Sequence, residues 1–515
     1  MSRRKRWGVL ASATLALGMM TIDVSAVRLA LPSIQNELEI SDVAQQWIVN
    51  AYVLTMGVFA IAGGRAGDRY GRRLVFTIGV VVFVSGSILC GLSSSSTMLI
   101  AARAGQGVGA AIMTSTNTAM VTDAFAGASL GKAMGVLGGV GTIGVSIGSL
   151  LGGLVIQVAG WEWIFFLNVP VAVGVVALVH WSVPKGRADR ASGIDWTGLA
   201  GLFAGITGLT LAVMQAPVWG LGSVATLGLL GASILVIWAW LRAEGRARDP
   251  LVDPELLRGP SLGANFVAFC VPFVLTGLNV LLAIYLQSVL DYSPLQAGLL
   301  MLPLAITGMI GSLMVGWLLG RLGARKVVTA GMLVAASGVF LIGTAVEASN
   351  DYVAMVPGLL LFAFGGAVAV PSMSTALMAS AEVLRRGMVS GVYNTARIIG
   401  GTLGLAVLGA MLAGFESAKL TSEEGGGLLD RIDATYVHNL LAGGEANGAL
   451  AGLSAQQAAA IQGGVRSVFD HAFANTLQLS AIVAIAGAAV AFRIIPRLRP
   501  PIAEAPVSGH VDPIP

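Results

Sequence analysis

Four charged side chains fall inside stretches otherwise apolar enough to lie in lipid: Asp23, Arg28, Arg103 and Arg397. A charge held there is costly and usually faces a cavity or a partner. Asp23 stands about eight residues from the outer end of its stretch (7–31), roughly 12 Å at ~1.5 Å per residue. Arg103 stands about six residues into its own stretch (97–118) from the same side, roughly 9 Å by the same rise. The two therefore share a depth. Two readings follow: Asp23 as a proton carrier with Arg103 as its switchable partner, or a permanent ion pair that fixes two helices. Arg28 is within a turn of the outer interface, where it either snorkels to headgroups or touches substrate. Arg397 follows Asn394 by one helical turn, and either lines an inward cavity or pairs with loop carbonyls.

The neutral polar groups in these stretches are Asn50, Tyr52, Gln106, Asn117, Asn265, Asn279, Tyr285, Tyr393 and Asn394. They are the candidate lining of a substrate cavity, although any one of them alone is more often a bond between helices. No catalytic residue is expected, because no nucleophile stands with a base. His180, His438, His471 and His510 lack metal-ligand spacing to one another or to a Cys, so no metal is expected. Cys90 and Cys270 read as small apolar fillers. Without a Walker loop, ATP is not the direct energy source.

A basic, glycine-rich turn carries the second kind of chemistry. Gly64-Arg65-Ala66-Gly67-Asp68-Arg69-Tyr70-Gly71-Arg72-Arg73 separates two apolar runs. A weaker copy, Gly316-Trp317-Leu318-Leu319-Gly320-Arg321-Leu322-Gly323-Ala324-Arg325-Lys326, lies far downstream. Glycine permits the sharp turn and close packing, Asp68 can cap a helix or pair with an Arg, and the arginines fix the turn on the cytoplasmic side. A half-chain duplication of this kind marks a transporter built from repeats.

The elements that must hold these groups follow from composition. Hydrophobic residues are 56% of the 515 and charged ones only 11%, against about 25% charged in a soluble domain. At ~20 apolar residues per crossing, the chain predicts fourteen spans. With the amino terminus inside, most Lys and Arg fall on the cytoplasmic side, as the positive-inside rule requires, and both termini are cytoplasmic. The net charge of +4 suits loops lying on anionic lipid and does not call for nucleic acid. Arg3-Arg4-Lys5-Arg6 followed by so long an apolar run predicts a retained first span rather than a cleaved signal.

The two turns, each following the second span of its half, divide the chain. Residues 1–183 form an amino-terminal six-helix bundle, 184–261 hold linkers around an inserted hairpin (196–241), and 262–493 form a carboxy-terminal six-helix bundle. Residues 494–515 read as a disordered cytoplasmic tail. An outer loop at 416–470 is glycine-rich and acidic, with a short amphipathic helix expected over 453–469. Asp23 is the one carboxylate assigned to a span.

Further motifs carry a family resemblance. They are Ile22-Asp23 with Val27 and Ala30-Leu31-Pro32 in span one, and Leu99, Arg103, Gln106 and Gly107 in span four. Trp161-Glu162-Trp163-Ile164-Phe165 with Asn168-Val169-Pro170 precedes span six. Gln287, Tyr292-Ser293-Pro294, Ala297-Gly298 and Pro303 follow in spans nine and ten. Arg386-Gly387, Ser390-Gly391, Asn394-Thr395-Ala396-Arg397 and Gly400-Gly401 complete the series in span thirteen. In this order they resemble the major facilitator superfamily, and within it the fourteen-span drug:proton antiporter branch of the EmrB/QacA type. The resemblance implies that spans one and four are neighbours lining the cavity. It also implies that Gly64, Asp68, Arg69, Gly71, Arg72 and Arg73 form a conformational latch on the cytoplasmic side. The expected energy source is the proton gradient, with no cofactor, and the expected partners are a small molecule, protons and the bilayer of the cell membrane around a functional monomer. Relatives carry Gly-Pro in the fifth span, where this chain has Gly144-Val145 and Gly148-Ser149. Losing the proline predicts a straighter fifth span.

Three function classes are in play. One is proton-coupled efflux of amphipathic drugs, antibiotics or a self-made secondary metabolite. Another is proton-coupled import of a small organic nutrient, which the missing prolines keep open. The third, a membrane-embedded enzyme or receptor, is disfavoured by the absence of catalytic pairing and of a signalling domain.

Overall fold

The computed structural model describes residues 2–126, 128–185, 195–220, 222–247, 250–253, 256, 258–290, 292–349, 351–382, 385–420 and 455–495. These residues are helical throughout, with no strand among them. In lipid every backbone N–H and C=O must be satisfied within its own segment, which is why the apolar runs all resolve as helices.

The first set comprises α1 (Arg3–Leu38), α2 (Asp42–Tyr70), α3 (Arg72–Gly91), α4 (Ser96–Ala124), α5 (Ala128–Ala159), α6 (Glu162–Phe166) and α7 (Asn168–Ser182). Next come α8 (Trp196–Trp219) and α9 (Val224–Glu244). The last set is α10 (Gly259–Ile284), α11 (Pro294–Leu300), α12 (Leu302–Leu322), α13 (Ala324–Ser349), α14 (Tyr352–Ser380), α15 (Arg386–Leu420) and α16 (Ala455–Ile494). Among the described residues eleven helices are long and apolar enough to cross a membrane, or twelve if the bent α5 counts as one span. The remaining two expected spans are helices as well, but α4 is rich in Ser and Thr and the apolar part of α8 is short.

Local chemistry sets the helix ends. The Ser41, Ser95 and Ser223 side chains accept from the backbone N–H three residues on, capping α2, α4 and α9. Asp195 caps α8, and the Gly198 N–H, followed by the Thr197 hydroxyl, holds its carboxyl below the usual range. Gly71 and Gly323 sit at φ 93° and 76°. That left-handed backbone suits glycine and turns α2 into α3 and α12 into α13 alike.

Packing falls into two sets joined at two seams. Within the first, α1 lies on α5 and α7, and α4 on α2 and α3. Within the second, α10 lies on α15 and α16, and α13 on α14 and α16. Between the sets, α2 packs on α15 and α5 on α12. Both seams depend on glycine. A Cβ on Gly64 would overlap the Gly387 carbonyl, and one on Gly131 would sit 3.0 Å from the Gly316 Cα. The hairpin α8–α9 lies outside the α2–α15 seam. There Leu199, Leu202 and Ile206 of α8 meet Val58 and Ile61 of α2 and Val392 of α15 in one apolar cluster.

Three expectations are corrected. The fifth span is not straight, because α5 bends by 44° between Ser129–Val145 and Leu150–Ala159. Gly144 and Gly148 lie against Thr21, Ile22 and Ser25 of α1, and a Gly/Ser pair kinks a helix without proline. The amphipathic helix expected over 453–469 is not separate, since α16 runs unbroken from Ala455 to Ile494. Nor is Asp23 the only buried carboxylate: Glu416 and Asp470, assigned to the outer loop, lie on α15 and α16 and are each 6% exposed. The helices outrun the apolar runs that betray them. The rest of that loop (421–454) and the tail from 496 lie outside the described residues.

Candidate functional site

Asp23 of α1 is 1% exposed, and side chains of two other helices, α4 and α7, bond to it. Arg103 and Gln106 stand three residues apart on α4, a spacing that puts both side chains on one helix face. The Arg103 guanidinium Nη1 donates to Asp23 Oδ2 at 2.7 Å, and Gln106 Nε2 donates to Asp23 Oδ1 at 2.9 Å. Asn168, the first residue of α7, donates from Nδ2 to Asp23 Oδ1 at 2.9 Å and to Ser87 Oγ of α3 at 2.9 Å. Ser87 in turn donates to the Phe165 carbonyl at 2.8 Å.

Arg103 is held from three further sides. Its Nη1 also donates to Gln106 Oε1 at 2.6 Å, its Nε to the Ile48 carbonyl at 3.2 Å, and its guanidinium lies 4.2 Å from the centre of the Tyr52 ring. Such a pair is compensated only while both partners stay. Removing one leaves a buried charge at a cost of about 3–5 kcal/mol. Chemically, the cluster gives a buried carboxylate three side-chain donors, one of them cationic and carried on a different helix.

The Gly64 turn builds a second constellation. Asp68 accepts from the backbone N–H of Gly387 (Oδ1, 2.9 Å) and of Met388 (Oδ2, 2.9 Å), so it caps α15, a helix of the other set. Unsatisfied N–H groups and the helix dipole both favour a carboxylate there. Arg72 donates to Asp68 Oδ1 at 3.2 Å and to the Ala119 carbonyl at 3.1 Å, and it pairs with Asp123 of α4. Arg386 of α15 reaches the same Asp123 at 2.9 Å. Charge and backbone thus bridge α2, α3, α4 and α15.

Of the six predicted latch residues, Gly64, Asp68 and Arg72 make this junction, and Gly71 makes the turn that aims them. Arg69 lies over its neighbour Tyr70, and Arg73 donates to the Val183 carbonyl at 3.4 Å, away from α15.

The predicted cavity residues scatter. Tyr52 and Gln106 serve the Asp23 cluster, Tyr52 as a ring beneath Arg103. Asn117 ties α4 to α1 through the Ala13 carbonyl at 3.0 Å, and Asn265 donates to the Leu256 carbonyl at 3.3 Å. Asn279 turns back onto its own helix at Leu275. Tyr285 stacks on Phe473 at 5.0 Å in the core of the second set, within a π-helical turn, Tyr285–Val289. Tyr393 bonds the Val370 carbonyl, Asn394 the Ser390 carbonyl, and Arg397 the Asn394 side chain at 3.3 Å. Asn50 lines a small void at the α2–α8–α15 seam with Gly57, Thr210 and Thr402. Arg28 is exposed. Cys90 and Cys270 are buried free thiols, and no metal-binding cluster occurs among the described residues.

Sequence reasoning missed Ser87, Asn168, Asp123 and Arg386 as site residues. Asn168 and Arg386 stood in quoted motifs, so their signal was present. Ser87 is one serine among many and gave none.

Comparison with known proteins returns one consistent picture. A family model described as Major Facilitator Superfamily matches residues 13–405. The chain is 35% identical over 410 residues to the multidrug resistance protein Stp of Mycobacterium tuberculosis, covering 79% of this chain and 76% of that one. It is 31% identical over 499 residues to the drug efflux pump JefA of the same organism, covering 95% and 96%. Among solved structures, the proton:xylose symporter XylE superposes with a TM-score of 0.64 at 13% identity, over 96% of this chain and 97% of that one, which shows the fold.

Proposed function

The chain belongs to the Major Facilitator Superfamily, and from that premise we propose that it exports amphipathic small molecules in exchange for protons. It is a multi-pass protein of the cell membrane and a transporter, not an enzyme. The carrying observation is the Asp23 cluster: a buried carboxylate whose cationic partner sits on a different helix. When α1 and α4 move apart, Asp23 loses Arg103 and is neutralised by a proton. When they close, Arg103 returns and the proton leaves. Alternating access delivers that proton from outside to inside while the substrate moves the other way, and a cationic substrate competes for the same carboxylate.

The Asp68 junction fits an outward-facing state, its cytoplasmic ends tied together. On this reading the chain has fourteen spans with both termini cytoplasmic. Two six-helix bundles (1–183 and 262–493) flank the inserted hairpin, and the monomer is driven by the proton gradient alone. Efflux of drugs is supported by the multidrug resistance and drug efflux proteins among its relatives. The cargo class here is drugs, antibiotics or a self-made secondary metabolite.

Asp23→Asn tests the mechanism. It should abolish gradient-driven efflux of a fluorescent amphipathic reporter while leaving downhill exchange intact, and Asp23→Glu should keep part of the activity. Gradient-driven efflux by correctly inserted Asp23→Asn protein would end the proposal. Accumulation of the reporter on expression, in place of its loss, would reverse the direction.

A further inference from the structure

Glu416 lies near the end of α15, on the stripe that carries Leu408 and Leu412. Those two leucines pack into an apolar cluster with Leu281, Leu282, Phe469 and Phe473. Glu416 is 6% exposed, and its Oε1 is buried with no hydrogen-bond partner. Among the described residues, the titratable groups at this end of α15 and on the elements that share its apolar cluster include Lys419, Tyr285, Arg466 and Asp470. Asp470 engages Tyr285, with Arg466 within electrostatic reach of that tyrosine. No ion pair joins Glu416 to any cation among the described residues.

An ionised carboxylate there keeps one oxygen, Oε1, buried without a donor and has no cation paired with it among the described residues, so its burial is poorly offset. The neutral acid forfeits far less. Asp23 is the opposite case, since an arginine, a glutamine and an asparagine all meet its oxygens. Glu416 is also far from the Asp68 junction. It stands 30 residues beyond Arg386 on the same helix (416 less 386), roughly 45 Å along the axis at ~1.5 Å per residue.

We propose that Glu416 is a second proton-binding site, separate from Asp23 and occupied while the Asp68 junction is closed. The two carboxylates then sit in different bundles and hold opposite charge states in one conformation. The ligand is a single proton, and no other chemistry is needed to fill the site.

Infrared spectroscopy of the purified full-length protein reads this occupancy without any transported substrate. A protonated carboxylic acid has its own carbonyl stretch, which shifts in heavy water. The parent should show that band at neutral pH, and Glu416→Gln, which keeps size and polarity, should lose it. Carbon-13 labelling of all glutamates in the unmutated protein should move the band, which separates it from the buried Asp23 and Asp470, and Glu244→Gln should leave it in place. A parent without the band, a band retained in a folded Glu416→Gln, or one unmoved by glutamate labelling would each overturn the assignment. The outcome is independent of the Asp23 mechanism: efflux can fail to depend on Asp23 while Glu416 still binds its proton.

Discussion

The two glycine-rich turns share a backbone and differ in chemistry. Gly71 and Gly323 take the same left-handed conformation at equivalent places, between α2 and α3 and between α12 and α13. Asp68, however, corresponds to Gly320, and Arg72 to Ala324. The first turn grips the start of α15 through two backbone N–H groups. At the second, a side chain on Gly320 would meet open space, and Arg321 and Arg325 lie over the rings of Trp317 and Phe492. Duplication preserved what the backbone requires. A charged contact therefore crosses the α2–α15 seam at Asp68, while the equivalent position on α12, Gly320, has no side chain to make one.

The largest test of that contrast is Gly64→Ala. Its Cβ would overlap the Gly387 carbonyl, an atom that cannot swing aside. Overpacking costs about 1–3 kcal/mol, and ~1.4 kcal/mol is tenfold in a rate. If that cost falls on one state of the cycle, efflux of the fluorescent reporter should fall by roughly fivefold to 150-fold. Asp68→Asn comes next. It removes the charge from the cap on α15, where caps contribute about 0.5–2 kcal/mol, and should slow transport several-fold. Reporter affinity, measured by equilibrium binding, should stay near that of the parent, because the pocket is untouched. Unchanged rates in well-inserted Asp68→Asn protein would reduce the junction to packing.

Arg386→Ala should have a milder effect, about twofold or less, since Asp123 is more than a third exposed and keeps Arg72; exposed pairs contribute ~0–1 kcal/mol. Smallest of all should be Gly320→Ala. Nothing lies within reach of the new methyl group, and thermal melting should rise slightly, as expected for Gly→Ala within a helix, worth ~0.5–1 kcal/mol. A large transport defect from Gly320→Ala would mean that the second turn carries a contact of its own.

Composition and periodicity made the helices legible, and charge depth made the Asp23–Arg103 pair legible, because a lone carboxylate in lipid demands a partner. Facing direction was not. Of two candidates for the cavity lining, Gln106 turns toward Asp23, whereas Tyr285 stacks in an apolar core. A polar residue on a helix has the same sequence signature whichever neighbour it meets. Glu416 was misplaced for a related reason. The apolar run stops at Phe415, and hydropathy cannot see that the helix continues to Leu420 with one carboxylate turned inward. Proline was likewise too narrow a signal for bending, as the 44° angle in α5 demonstrates.

The hairpin α8–α9 brings a mechanical consequence. Helix α9 makes its substantial contacts with α8 alone, and its other faces, with Val224, Ile234, Leu235 and Trp238, are open. Helix α8 in turn touches both α2 and α15. A change in membrane thickness that tilted α9 would therefore reach the α2–α15 seam through α8, a route that the α5–α12 seam lacks among the described residues. Lipid composition becomes a load applied to one side of the machine.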